Sequence, residues 1–535
     1  MQSHLNPVRA TRGMAVAPHA LAAQSALAVL REGGNAVEAM VAAAAVIAVV
    51  YPHMNSLGGD GFWLIAAPGQ APIGIEGCGA AAGAASREFY AAQGCRTIPT
   101  RGPLAANTVA GTVSGWDAAL QWSAEALGSR LPVTRLLADA IDYARDGVPV
   151  TDSQARAVAA KQAELAGQAG FAATFLDAGI APRAGQRFVQ PRLAATLTQL
   201  AQAGLSDFYQ GELAQSIATD LAALGSPLTL DDLRRHRARR VTPLSLSHSR
   251  GTVFNMPPPT QGLVSLMILG VLDRLPRSAW RADNAAFVHA CVEATKEAFA
   301  VRDRHITDPD HMDVVPQSLL DAAPLDAAAA RFDAARAAQW GGGRGPGDTV
   351  WMGVVDAQGV AVSFIQSIYH EFGSGLVLPR TGLNWQNRGC SFSLDPASRN
   401  PLLPYRRPFH TLNPALAQLK DGRTLVYGNM GGDGQPQSQA AVFSRIVGFG
   451  MNPQAAIDAP RWLLGRTWGQ TSDTLKLEAR FGDAVAAELS ALGHDVEILP
   501  AYDEAMGHAG AILRHPDGLF EAGFDPRSDG AAAGW

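Results

Sequence analysis

Residues 347–367 read GDTVWMGVVDAQGVAVSFIQS, directly after the glycine-rich run WGGGRGPG that ends at Gly347. Two β-branched, apolar segments flank Asp356-Ala357-Gln358-Gly359, a composition that favours a tight turn, so strands are expected over 349–356 and 359–369. The glycine run is expected as a loop. At the junction stands Thr349. A threonine hydroxyl is a poor nucleophile unless a base takes its proton. Cutting the peptide bond before Thr349 would free its own α-amino group, whose ordinary pKa of about 7.7–8 suits a general base at neutral pH. A removable peptide before the residue and a rigid strand after it are what such chemistry needs. On spacing alone, an ordinary loop-to-strand junction remains the better reading.

The bulk composition sets the class. The chain has 535 residues, 47% hydrophobic and 17% charged, with a formal net charge of -5. This is globular, and long enough to bury a large core. No cluster of lysine or arginine exceeds a few residues, so no nucleic-acid partner is expected. Cys78, Cys95, Cys291 and Cys390 form no CxxC pair, and no histidines stand at ligand spacing, so neither a disulfide framework nor a metal site is expected. The N-terminus lacks an apolar signal region. The most apolar stretch, AMVAAAAVIAVVY (39–51), is too short to span a bilayer and reads as a buried helix. A soluble, cytoplasmic protein without membrane contact is the default expectation.

Helices are expected at 19–32, ending at Gly33-Gly34-Asn35, and at 36–50. SLGGDG (56–61) turns into FWLIAA and APIGIEG, a hairpin pattern. Residues 115–240 have helical periodicity. A strand near 251–256 leads through PPPTQG to helices at 263–275 and 285–304. The segment 305–346, rich in alanine, aspartate and glycine, reads as a mobile linker. Strands at 424–429, 509–514 and 518–523 follow, with helices near 435–449 and 481–492. No phosphate-binding loop, HExxH or GxSxG is present. Isolated histidines such as His53 and His289 read as structural.

Separate blocks in a fixed order change the weighing. They include LREGGNAVEAMVAAAAVIAVVYPHMNSLGGDGFWLI (30–65), GTVSGW (111–116), ARDGVPV (144–150), DFYQGELAQSIA (207–218) and FNMPPPTQG (254–262). DTVWMGVVDAQGVAVS (348–363), FGSGLVLP (372–379), NMGGDGQPQ (429–437), APRW (459–462) and FDPRSDGAA (524–532) continue the series. With these blocks the chain resembles the γ-glutamyltransferase family of N-terminal nucleophile (Ntn) hydrolases over nearly its whole length. The resemblance implies an α+β fold, a four-layer αββα sandwich. It also implies autocatalytic cleavage between Asp348 and Thr349 of a zymogen, giving a large subunit (1–348) and a small subunit (349–535) that stay together. Whether two such heterodimers pair is left open. Thr349 would be the nucleophile, Ser367 would stand where the family has a supporting threonine, and Gly431 and Gly432 would form the oxyanion site. The last assignment agrees with a tight glycine turn between a strand and a helix N-terminus. The reaction class is acyl transfer, with no cofactor and no metal.

Other positions depart from the family. Its carboxylate-binding arginine aligns with Cys78, its ammonium-binding aspartate with Ser391, an asparagine with Tyr369, and its paired serines with His410 and Thr411. Losing the anion that pairs with an α-ammonium weakens selection for glutamate. Arg388 supplies a new cation suited to a carboxylate, although a local acid is an alternative partner. The short segment between Phe392 and Arg406 resembles the lidless branch that includes oxamate amidohydrolase and γ-glutamyltransferase-like acylases. A missing lid implies a site open to water, favouring hydrolysis. The resemblance therefore implies an amidohydrolase acting on a small carboxylate-bearing amide, oxamate-like or glutaryl-like. A γ-glutamyl hydrolase or transferase (a glutathione hydrolase) with altered contacts, and an inactive unprocessed binding protein, are the alternatives.

Overall fold

The structure, a computed structural model, describes residues 5–341, 348–466 and 472–535. Two seven-stranded sheets lie at its centre. In spatial order the first sheet holds Ala531–Gly534, Gly13–Ala17, Asp348–Asp356, Ala361–Tyr369, Asp60–Ala66, Ile73–Gly77 and Arg239–Val241. The second holds Val8–Ala10, Phe520–Phe524, Ala509–Arg514, Thr424–Asn429, Ala415–Leu419, Gly251–Asn255 and Leu244–His248. Helices cover the outer face of each, so the molecule is the expected α+β, αββα sandwich. Each sheet takes strands from both sides of the Asp348–Thr349 bond, so neither part carries a whole sheet.

Apart from Glu38 in its first turn, the helix Ala36–Val50 is apolar on every face, and it is buried all round. Its alanines allow close approach to the sheet and to the helix Ala20–Arg31. Asn35 and Glu38 form a capping box at its start: the Asn35 side chain accepts from the backbone N–H of Glu38 while Glu38 accepts from that of Asn35. Among the described residues no helix is long and apolar enough to cross a membrane.

Alternation along the strands sorts side chains between layers. From the strand that begins at the quoted motif, Val350, Met352 and Val354 point into the helical layer, while Trp351 and Val355 point between the sheets. Trp351 fills the inter-sheet space. Its indole N–H donates to Ser363 Oγ at 3.0 Å, and a Cβ at Gly428 or Gly510 of the facing sheet would run into the ring. That fit sets the height of the strand two residues beyond Thr349.

The expected linker is not loose over its described part. It carries the helix Ala322–Ala329, and Leu320, Leu325 and Ala328 are buried in the core beneath the second sheet. Beyond it, His289 bonds Asp333 O and Lys296 bonds Ala338 O. The glycine run from residue 342 to 347 lies outside the described residues. The expected hairpins are present, Asp348–Asp356 with Ala361–Tyr369 and Asp60–Ala66 with Ile73–Gly77. The helix expected over 435–449 is α-helical only to Phe443 and then makes one π turn, Ser444–Gly448.

Candidate active site

Three neighbouring strands of the first sheet end side by side. The register slips between Asp348 and Val350, placing Thr349 at a bulge, a device that re-aims a side chain. Ser367 lies opposite Asp60 on the next strand. Phe62, Leu64 and Ile365 face the second sheet, so Asp60 and Ser367 fall by alternation on that same face. The Thr349 hydroxyl is met from the facing layer, where Gln435 Nε2 donates to Oγ1 at 3.4 Å. Gln435 is held in turn by the backbone N–H of Asn413, which donates to its Oε1 at 3.3 Å. The Ser367 hydroxyl accepts from the Tyr369 N–H at 2.9 Å.

Gly431 and Gly432 occupy the turn between the strand Thr424–Asn429 and the helix Gly434–Phe443, with φ of +112° and +53°. Both values favour glycine. Among the described residues their N–H groups donate no hydrogen bond. The turn is braced from behind. Arg302 Nη1 donates to Asp433 Oδ1 at 2.8 Å, both side chains fully buried, and Gln261 Nε2 donates to Gly432 O at 2.8 Å and Thr411 O at 2.9 Å.

Beside the turn lies a group of buried polar atoms with no hydrogen-bond partner among the described residues: Arg388 Nη1 and Nη2, Ser391 Oγ, both His410 nitrogens, Thr411 Oγ1 and Asp60 Oδ2. Buried polar atoms without a protein partner call for water or a ligand, and this cluster can accept either. Arg388 stacks on Tyr369, its guanidinium carbon 3.9 Å from the ring centre. Its pKa is lowered by burial. No salt bridge or hydrogen bond joins it to an acid among the described residues, although the Asp60 charge favours its cationic form. His410 Nε2 is 3.5 Å from Asp60 Oδ2. Burial, with the Arg388 charge adding to it, holds the His410 imidazole well below its ordinary pKa, so the ring is neutral. Burial pushes the Asp60 carboxyl up to about 7, opposed by Arg388 and by donors from Gly79, Gly111 and Gln386.

Shared neighbours connect Ser367 with Tyr369 and Arg388, Ser367 with His410 through Asp60, and Gly432 with Thr411 through Gln261. Cys78 stands apart. Its thiol donates to Glu76, itself bound by Arg407, and it lines a different cavity with Val109 and Tyr405. The Asp348 backbone belongs to the strand. The open site expected from the short 392–406 segment is not what the continuous chain has, since Thr349 and Arg388 are each 1% exposed. Asp60, Gln435, Gln261 and Arg302 escaped the sequence reading. For Asp60 a signal existed: a carboxylate opening the fully apolar strand FWLIA (62–66).

The fold also gathers His289, Glu293 and His494, whose ligand atoms lie within 4.8 Å of one another. This corrects the expectation of no histidine cluster; 205 residues separate the two histidines. Their atoms are already engaged. The two rings share a 2.8 Å hydrogen bond, and Lys296 Nζ binds Glu293 Oε1 at 2.7 Å, where an ammonium opposes a second cation.

Residues 22–535 match the family described as gamma-glutamyltranspeptidase. The chain is 64% identical over 525 residues to the oxamate amidohydrolase proenzyme of Klebsiella pneumoniae subsp. pneumoniae, covering 98% of this chain and 99% of that protein. It is 30% identical over 554 residues to the glutathione hydrolase proenzyme of Escherichia coli, covering 99% and 93%. The crystal structure of cephalosporin acylase from Bacillus halodurans superposes with a TM-score of 0.90 at 33% identity, covering 100% of this chain and 98% of that one. The chain belongs to the gamma-glutamyltranspeptidase family of enzymes.

Proposed function

We propose that this Ntn-type amidohydrolase cleaves itself before Thr349 and then hydrolyses a small amide carrying a carboxylate next to the scissile carbonyl, an oxamate-like substrate. The observation that carries the reading is Arg388, a buried guanidinium with two unpartnered nitrogens in a site otherwise lined by neutral side chains and Asp60. A planar fork of donors suits a carboxylate. The 64% identity to an oxamate amidohydrolase proenzyme supports the same substrate class.

In the proposed reaction the freed Thr349 α-amine takes the proton from Oγ1, and Oγ1 attacks the amide carbon. The N–H groups of Gly431 and Gly432 hold the developing oxyanion. The α-ammonium gives its proton to the leaving nitrogen, ammonia departs, and an ester remains on Thr349. Water, deprotonated by the same amine, then attacks the ester; the ammonium returns that proton to Oγ1 as the ester bond breaks, and the dicarboxylate leaves. Ser367 positions the nucleophile's residue, and Ser391, His410 and Thr411 contact the bound acyl group. The parts 1–348 and 349–535 act as one unit.

A γ-glutamyl reading keeps one observation in its favour, because Asp60 Oδ2 is an unpartnered acceptor able to meet an α-ammonium. Turnover of oxamate, a glutaryl anilide and a γ-glutamyl anilide separates the readings. Oxamate hydrolysis is expected, and exclusive use of the γ-glutamyl compound would overturn the proposal. On a denaturing gel the 56.0 kDa chain is expected to split, and Thr349→Ala to stay whole. A wild-type band that stays intact would instead indicate an unprocessed binding protein.

A further inference from the structure

Asp60 plays no part in the chemistry above, yet it is the one acid among the unpartnered groups of the site. Its Oδ1 is saturated, accepting from Gly111 N at 2.9 Å, Gly79 N at 3.1 Å and Gln386 Nε2 at 3.2 Å. These bonds fix the carboxyl plane and leave Oδ2 aimed at His410 Nε2, 3.5 Å away, with no hydrogen bond of its own. The groups that face Asp60 come from several elements. Arg388 approaches from the 388–391 turn and His410 from the segment before the strand Ala415–Leu419. Cys78 lies beyond the strand Ile73–Gly77, and the buried Tyr209 hydroxyl also feels the Asp60 charge. Of these only Arg388 is a cation.

Before a ligand arrives, Arg388 and an ionised Asp60 cancel. A carboxylate docking on Arg388 would bring a second anion into a dry site that, among the described residues of the uncut chain, holds one cation. Two buried carboxylates near one another cannot both stay ionised cheaply. In the tautomer with its proton on Nδ1, the neutral His410 ring turns the Nε2 lone pair toward Oδ2, so a protonated Asp60 has a place for its hydrogen.

We infer that Asp60 takes up one proton as a carboxylate ligand binds Arg388, so that the occupied site holds a single anion. This inference rests on the reading of Arg388 as the carboxylate anchor. Burial has already moved the Asp60 carboxyl to about 7 in the empty site, which makes the uptake easy near neutral pH. The consequence is a coupling to pH: a ligand carrying one carboxylate and no ammonium binds together with a proton, and its binding weakens as the pH rises.

The test uses the processed enzyme and propanoate, a monoanion with no bond to cleave, as a competitive inhibitor of amide hydrolysis. If Asp60 supplies the proton site, the wild-type Ki rises by up to about tenfold per pH unit above about pH 7, and Asp60→Asn flattens the part of the slope not due to the Thr349 amine. The asparagine keeps an oxygen for the three N–H donors and places an N–H toward His410. Calorimetry of propanoate binding to the wild type, in buffers of different ionisation enthalpy, reads the proton uptake directly and needs no variant. Zero uptake near neutral pH, or an Asp60→Asn enzyme that keeps the full wild-type slope, overturns the inference and leaves oxamate hydrolysis standing. An enzyme that neither binds propanoate nor hydrolyses any carboxylate-bearing amide overturns both readings.

Discussion

The Arg388 guanidinium lies 3.9 Å from the centre of the Tyr369 ring, and neither of its terminal nitrogens has a hydrogen-bond partner among the described residues. The ring orients the cation but does not replace the hydrogen bonds lost on burial. The unliganded protein therefore holds a charge at a cost to its stability. Arg388→Met is expected to stabilise it by about 1–3 kcal/mol while lowering kcat/KM for a carboxylate-bearing amide by about 10²–10³-fold. Arg388→Lys, which keeps the charge and loses the fork, should fall between. Thermal unfolding and steady-state kinetics read both effects. Loss of stability together with activity would make Arg388 a structural residue instead.

Gly431 has φ +112°, and a Cβ there would meet nothing closer than Gly507 Cα at 3.5 Å. Strain, not crowding, is what Gly431→Ala introduces. It is expected to cost about 1–3 kcal/mol of stability and, by turning an oxyanion donor, to lower kcat by about 10²–10³-fold with little change in KM. An unchanged kcat in a folded variant would remove Gly431 from the oxyanion site.

Arg302 and Asp433 form a fully buried pair, Nη1 to Oδ1 at 2.8 Å, behind the same turn. Arg302→Met takes away one buried partner of the Asp433 carboxylate and is expected to cost about 3–5 kcal/mol in denaturant unfolding. The double change with Asp433→Asn should recover part of that loss, since no buried charge remains. A double variant no better than the single one would show that the arginine acts through packing alone.

Asp60 also makes a statement about stability against pH. Its folded carboxyl is raised from 3.8 to about 7 by burial. The contribution of the protonated form is therefore fully present below about pH 4 and is lost as the pH rises through about 7. Asp60→Asn removes that loss. It should be more stable than the wild type at about pH 8, by on the order of 4 kcal/mol at most, with the gap closing toward about pH 4. Parallel melting curves across that range would count against a buried, shifted Asp60.

Much of the architecture is legible in one dimension because it is written in local patterns. The Asn35 cap before an all-apolar run, the Asp356–Gly359 turn and the alternation around Trp351 act between near neighbours. The structure places the helix 36–50 and the hairpin 348–369 where those patterns put them. The composition of 305–346 suits a linker, yet over its described part three apolar side chains, Leu320, Leu325 and Ala328, suffice to dock it.

The site divides the same way. Thr349 with its strand, and the glycines of NMGGDG, carry their chemistry in their own residue types and immediate neighbours, so the chain alone singles them out. What surrounds them depends on which buried groups end up without partners, and that is a property of packing. No sequence pattern tells that Arg388 stacks on Tyr369 with its fork empty, that Cys78 turns toward Glu76, or that Asp60 meets His410 across 350 positions of chain. Desolvation and hydrogen-bond satisfaction are settled only when distant segments close around the same few atoms.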